Sequence, residues 1–212
     1  MSARSLSIII PAYNERRRLG ATLADVRDYV RAAGWSGEIL VVDDGSTDGT
    51  AAEAQDFSCD RRALRVLRHE PNRGKGYAVR AGMLAAVGEL RLMCDADLSA
   101  PIAELAKLLP WLDQGYDVVI GSRDVAESRL DPPQPWPRRL AAWVFRAVRR
   151  RLLLPELRDT QCGFKLFSGR AAAEVFTRVT LDGWLFDCEA LALAQRLGYR
   201  IKEVGIVWRH CP

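Results

Sequence analysis

Short β-branched apolar runs at residues 6–10, 38–42, 64–67, 90–94 and 118–120 alternate with helical periodicity at 15–33, 47–57, 74–87 and 102–113. Runs this short, bounded by turn residues, read as strands buried on both faces. Their alternation with helices is the signature of βαβ units. The expected fold is therefore α/β: a mostly parallel central sheet flanked by helices. With 212 residues, 49% of them apolar, the chain has the material for one sizeable core, and a single domain over 1–212 is expected. Beyond residue 128 the pattern breaks into a loop over 128–137, rich in proline (Pro132, Pro133, Pro135, Pro137). A further helix, a 163–167 segment, helical patterns at 170–176 and 187–197, and a final strand over 200–207 complete the reading. Hydroxyls at Ser46, Thr47 and Ser99 are the expected helix caps.

In open α/β sheets ligands bind outside the carboxyl ends of the strands. Those positions read Pro11-Ala12-Tyr13-Asn14-Glu15, Asp43-Asp44-Gly45-Ser46, Asp95-Ala96-Asp97 and Gly121-Ser122-Arg123. Two carboxylates side by side, Asp95 and Asp97, repel unless a cation sits near them. A hard divalent ion, Mg²⁺ or Mn²⁺, held by one or two carboxylates plus substrate phosphates, answers that need; taken alone, the same pair reads equally well as a turn that caps the next helix. The glycines and hydroxyls of residues 43–50 suit a tight turn into a helix, but they match neither the GxGxxG spacing of a dinucleotide site nor the GxxxxGK[ST] of a P-loop. Lys75, at the start of a helix, faces a phosphate on one reading and solvent on the other. A net charge of +4 is not that of a dedicated nucleic-acid binder. Five scattered cysteines without metal-binding spacing read as reduced structural thiols. No run approaches the roughly 18 apolar residues of a spanning helix.

Taken in order, the stretches 9–15, 41–50, Asn72-Arg73-Gly74-Lys75-Gly76 and Asp95-Ala96-Asp97 resemble the inverting GT-A glycosyltransferases known as family two. The Asp95–Ser99 stretch, Gly121-Ser122-Arg123, residues 158–165 and Trp184-Leu185-Phe186-Asp187-Cys188-Glu189 are most similar to the dolichyl-phosphate β-glucosyltransferases and their bacterial polyprenyl-phosphate relatives. The resemblance implies a GT-A fold with a nucleotide-binding half over 1–98 and an acceptor half over 99–212. It implies a nucleotide-sugar donor bound by Pro11, Ala12, Tyr13, Glu15, Asp43, Asp44, Ser46, Lys75, Asp95 and Ala96. Asp95 and Asp97 are then the metal ligands, and Asp97, Arg123 and Asp159 the catalytic group. Where related mannosyltransferases carry Gln two residues after the second aspartate, this chain has Ser99.

Residues 136–154 point to a membrane on separate grounds. At 100° per residue Trp136, Leu140, Trp143, Val144 and Val148 share one helix face, and Arg138, Arg139, Arg146, Arg149 and Arg150 another. Such a helix suits an anionic headgroup layer, or else packs its tryptophans on the core as an ordinary surface helix. Beside the motifs the membrane reading is the expected one: a peripheral protein on the cytoplasmic face of a membrane, transferring a hexose, glucose from UDP-glucose by the resemblance, to a polyprenyl or dolichyl phosphate. Arg123, Arg138, Arg139 and Glu189 are the acceptor-binding candidates. The alternative keeps the donor site but uses a soluble hydroxyl acceptor, with Asp159 or Glu189 as general base. A nucleotidyltransferase would want a glycine-rich basic loop where Tyr13-Asn14-Glu15 stands.

Overall fold

The computed structural model describes residues 4–57, 64–131 and 154–209. In chain order these form β1 (Leu6–Ala12), α1 (Arg16–Ala32), β2 (Gly37–Asp43), α2 (Thr50–Phe57), β3 (Leu64–Arg68), α3 (Lys75–Ala85), β4 (Leu90–Cys94), a 3₁₀ turn (Ile102–Glu104), α4 (Leu105–Asp113), β5 (Val118–Ser122), β6 (Arg129–Asp131), β7 (Phe164–Ser168), α5 (Gly169–Arg178), α6 (Phe186–Arg196), β8 (Ile201–Gly205) and β9 (Val207–Arg209). The residue-136–154 helix, with Arg138 and Arg139, lies outside the described residues except for Leu154.

Among the described residues the main sheet has seven strands in the order β3-β2-β1-β4-β7-β5-β8. All pairs are parallel except those of β7, which runs antiparallel between β4 and β5. Both faces are covered, as the unbroken apolar runs of β1, β2 and β5 require. In β1, Ile8 and Ile10 pack toward α1 and α4, while Ile9 packs toward α3, α5 and α6. β2 and β4 lie on opposite sides of β1, so the strand order reverses there and opens a crevice at the carboxyl ends of β1 and β4. Because β7 is antiparallel, its amino end sits beside the carboxyl end of β4, with Cys94 opposite Phe164. Residues 159–163 thereby arrive at the rim that carries Asp95.

The structure departs from the expected elements in three places. Arg129–Asp131, read as loop, is a short strand paired in parallel with β9, so the single strand expected over 200–207 is two strands that serve different sheets. Buried Ile206 makes the transition, its N–H donating to the Ser122 carbonyl. The expected caps Ser46 and Ser99 bind elsewhere. At the start of α2 it is Asp48 that accepts from the Thr50 N–H (2.9 Å), since an acid two residues ahead reaches that amide better than the Ser46 hydroxyl.

Candidate active site

Residues from both halves of the chain line one cleft of about 520 Å³ above the strand reversal. Of the expected donor ligands, Pro11, Ala12, Tyr13, Glu15, Asp44, Lys75, Asp95 and Ala96 line it, joined by Asp97, Ser99 and Arg123. Asp43 and Ser46 do not. Asp43 is the last residue of β2 and fully buried; its Oδ1 accepts from the Ser46 N–H (3.2 Å), and its Oδ2 lies 3.4 Å from Arg68 Nε without hydrogen-bond geometry. The Ser46 hydroxyl accepts from the Asn14 N–H (2.9 Å), and Asn14 Oδ1 accepts from the Thr47 N–H (3.0 Å). Ser46 and Asn14 thus fasten the loop after β1 to the loop after β2. Asn14 sits at φ +56, a conformation asparagine tolerates better than most residues.

The two carboxylates after β4 have different partners. Asp95 Oδ1 accepts from Lys75 Nζ at 2.6 Å. Its carboxylate is seated on Gly163 so closely that a Cβ there would lie 1.9 Å from Asp95 Oδ2, which makes glycine the residue the contact admits. Asp97 accepts from the Ser99 N–H (2.9 Å) and hydroxyl (2.8 Å), so Ser99 orients this carboxylate. Burial disfavours the charge on Lys75, but Asp95, Asp187 and Asp97 outweigh it and hold its pKa above the ordinary value. Lys75 is delivered by Gly74, whose φ of +109 and 2.5 Å Cβ approach to the Asp182 carbonyl exclude larger residues. The Asp44 carboxylate accepts from the N–H groups of Arg73 and Gly74 (2.7–3.2 Å), pinning the same loop.

On the far wall Arg123, at the end of β5, donates through Nε (2.7 Å) and Nη2 (2.9 Å) to Asp159, whose Oδ2 also accepts the Arg123 N–H (3.0 Å). This fork fixes the guanidinium plane. Burial opposes the charge on both; the pairing overcomes it, raising the Arg123 pKa and holding the Asp159 carboxyl below the usual range. Asp159 therefore positions Arg123 and does not itself line the cleft. Glu189 is also drawn away: its carboxylate accepts from the N–H groups of Thr180 and Leu181 and from the Thr180 hydroxyl (2.7–3.1 Å). Both acids that a hydroxyl-acceptor mechanism would need as base are thus engaged elsewhere. Burial pushes the Cys162 thiol up to about 12, which removes it as a nucleophile.

Sequence reasoning missed Arg18, Asn72, Gln161, Gly163, Trp184 and Trp208, which also line the cleft. Gln161 and Gly163 stood inside a quoted motif. Trp184 opens the 184–189 motif, and its exposure marks it: it is 72% exposed at the rim, with its ring 5.1 Å from Lys75 Nζ. Trp208, 5.8 Å from the Arg123 guanidinium, is brought in by β9. Asp95 and Asp97 suit a divalent cation whose remaining ligands are phosphate oxygens and water. Among the described residues there is no group of three or more acidic, Cys or His side chains that would hold a metal unaided.

Residues 7–176 match the description "Glycosyl transferase family 2". The chain is similar to dolichyl-phosphate beta-glucosyltransferases of Homo sapiens (34% identical, covering 97% of this chain and 67% of the relative), Drosophila melanogaster (37%, 96% and 66%) and Saccharomyces cerevisiae (33%, 96% and 66%). It thus spans about two thirds of the length of these relatives. Among solved structures it resembles Mycobacterium tuberculosis glucosyl-3-phosphoglycerate synthase in complex with UDP (TM-score 0.73, 24% identical, all of this chain and 73% of that one). It also resembles Rubrobacter xylanophilus mannosyl-3-phosphoglycerate synthase (TM-score 0.71, 20% identical, 99% and 67%). The fold is GT-A, and the chain belongs to glycosyl transferase family 2.

Proposed function

We propose that the protein transfers glucose from UDP-glucose to a polyprenyl or dolichyl phosphate with inversion at the anomeric carbon. The relatives named above support the donor sugar and the lipid phosphate, and the UDP complex of the structural neighbour supports a uridine nucleotide. The observation that carries the choice of acceptor is the state of the cleft's acids. Among the described lining residues Glu15 is paired with Arg18, Asp44 with backbone amides, Asp95 with Lys75 and Asp97 with Ser99. A hydroxyl nucleophile needs a base, whereas a phosphate monoester is already anionic near neutral pH and needs cations to position it.

In this reading the acceptor phosphate, oriented by the fixed Arg123 fork, places one oxygen in line with the anomeric carbon. That oxygen forms the new C–O bond as the bond to the nucleotide diphosphate breaks, and the diphosphate departs with the electron pair. Lys75 lies where it can take up part of the leaving charge once the donor displaces its bond to Asp95. Asp95 and Asp97 would hold Mg²⁺ or Mn²⁺; the ion, when bound, supplies Lewis-acid neutralisation of the diphosphate. Mn²⁺ accompanies UDP-glucose in another complex of the mycobacterial synthase. In this reading the acceptor's phosphate is met at a membrane surface; among the described residues no helix is long and apolar enough to cross a membrane. Asp97→Ala is expected to abolish transfer in a metal-supplemented assay; turnover within a few-fold of the parent would exclude the assigned role.

A further inference from the structure

β7 carries a lysine in the middle of a buried strand. Lys165 is 2% exposed and Asp187, in the first turn of α6, 3%. Lys165 Nζ donates to Asp187 Oδ1 at 2.5 Å and to the Cys162 carbonyl at 2.5 Å. Stability does not explain the pair, because a well-packed apolar pair of similar volume commonly serves a core as well or better. Its location does. The Cys162 carbonyl immediately precedes Gly163, the residue on which the Asp95 carboxylate is seated. On the other side of Asp95 stands Lys75, and Asp187 feels the charges of both Lys75 and Asp95. Two acid–base pairs thus lie near one another, Asp95 with Lys75 at the cleft and Asp187 with Lys165 buried in the core.

We propose that Lys165 and Asp187 are positioning residues for the donor and metal site: Lys165 holds the 162–163 peptide in place, Asp187 holds Lys165, and together they set where the Asp95 carboxylate lies. Neither residue lines the cleft. The inference rests on the donor-site reading above. Binding of Mn²⁺ with UDP, measured by calorimetry, is the direct readout, with thermal unfolding recorded on the same samples. Lys165→Met strands Asp187 in the core, so the informative variant is Lys165→Met/Asp187→Leu, which removes both charges at similar volume. Supporting groups behind a metal ligand are worth about 10- to 100-fold in metal affinity. The double variant is expected to melt cooperatively near the parent and to bind Mn²⁺ with UDP weaker by that factor, while Lys165→Arg recovers part of the loss. A double variant that binds like the parent overturns the proposal. So does one that no longer unfolds cooperatively, since the pair would then be a requirement of the core. If the parent itself binds UDP with no dependence on Mn²⁺, it is the donor-site reading that fails.

Discussion

Asp95 and Asp97 are two residues apart and differently constrained: Asp95 is wedged between Lys75 and Gly163, and Asp97 is oriented by Ser99. The wedge makes Gly163→Ala a sharp test. A Cβ placed 1.9 Å from Asp95 Oδ2 has to push that carboxylate aside, and a displacement on the scale of 1 Å costs on the order of 100-fold in turnover. We expect kcat/KM for the donor to fall by about that much with the protein still folded; parental kinetics would contradict the packing. The Arg123 fork makes a prediction about pH. A carboxyl whose pKa is lower in the folded than in the unfolded state contributes stability above its unfolded value and loses it as the pH falls through the folded one. Asp159 is such a group. Asp159→Asn is expected to lower stability by about 3 kcal/mol at neutral pH, with the gap closing as the pH drops through and below about 4. Denaturant titrations of both proteins across that range measure it, and a gap independent of pH would contradict the pairing.

At the scale of elements, the link between α5 and α6 forms part of the site. Its Asp182 carbonyl accepts from the N–H groups of Gly76 and Tyr77 at the start of α3 (2.7 and 3.2 Å), and it presents Trp184 to the cleft. Glu189 holds that link by its backbone. Glu189→Ala should therefore cost about 2 kcal/mol of stability, the value of hydrogen bonds to a charged group, and leave the KM for a lipid-phosphate acceptor unchanged. Unchanged stability with a raised acceptor KM would return Glu189 to the acceptor site. The elements differed in how plainly they could be read from sequence. Of the parallel strands, β1, β2 and β5 were the most legible because each carries an unbroken apolar run such as Ile8-Ile9-Ile10. The direction of β7 was not, since Phe164-Lys165-Leu166-Phe167 has a charge at its centre whose partner, Asp187, lies 22 residues away. β6 and β9 are three residues each, too short for a periodic signal, and they exist through each other.

At the scale of the whole molecule, the strand reversal at β1 decides which sequence signals become site and which become scaffold. Strand-end residues such as Pro11, Asp95 and Arg123 were legible because topology puts them on one rim. Asp43 and Ser46 stood at the same rim in sequence but are absent from the cleft lining and bonded to each other and to the loop after β1, and adjacency alone does not reveal that. Trp184 stood inside the 184–189 motif with nothing in the sequence to aim it at the cleft, and Trp208 comes from a segment outside the motifs, so three-dimensional packing was needed to place them. The central claim is that this cleft moves glucose onto a phosphorylated lipid. Its most direct test is transfer of labelled glucose from UDP-glucose to a short-chain polyprenyl phosphate in the presence of Mn²⁺, read as label entering the organic phase. We predict lipid-linked label that disappears with chelator and in Asp97→Ala; donor hydrolysis without lipid product, or transfer only to soluble hydroxyl acceptors, would contradict the account.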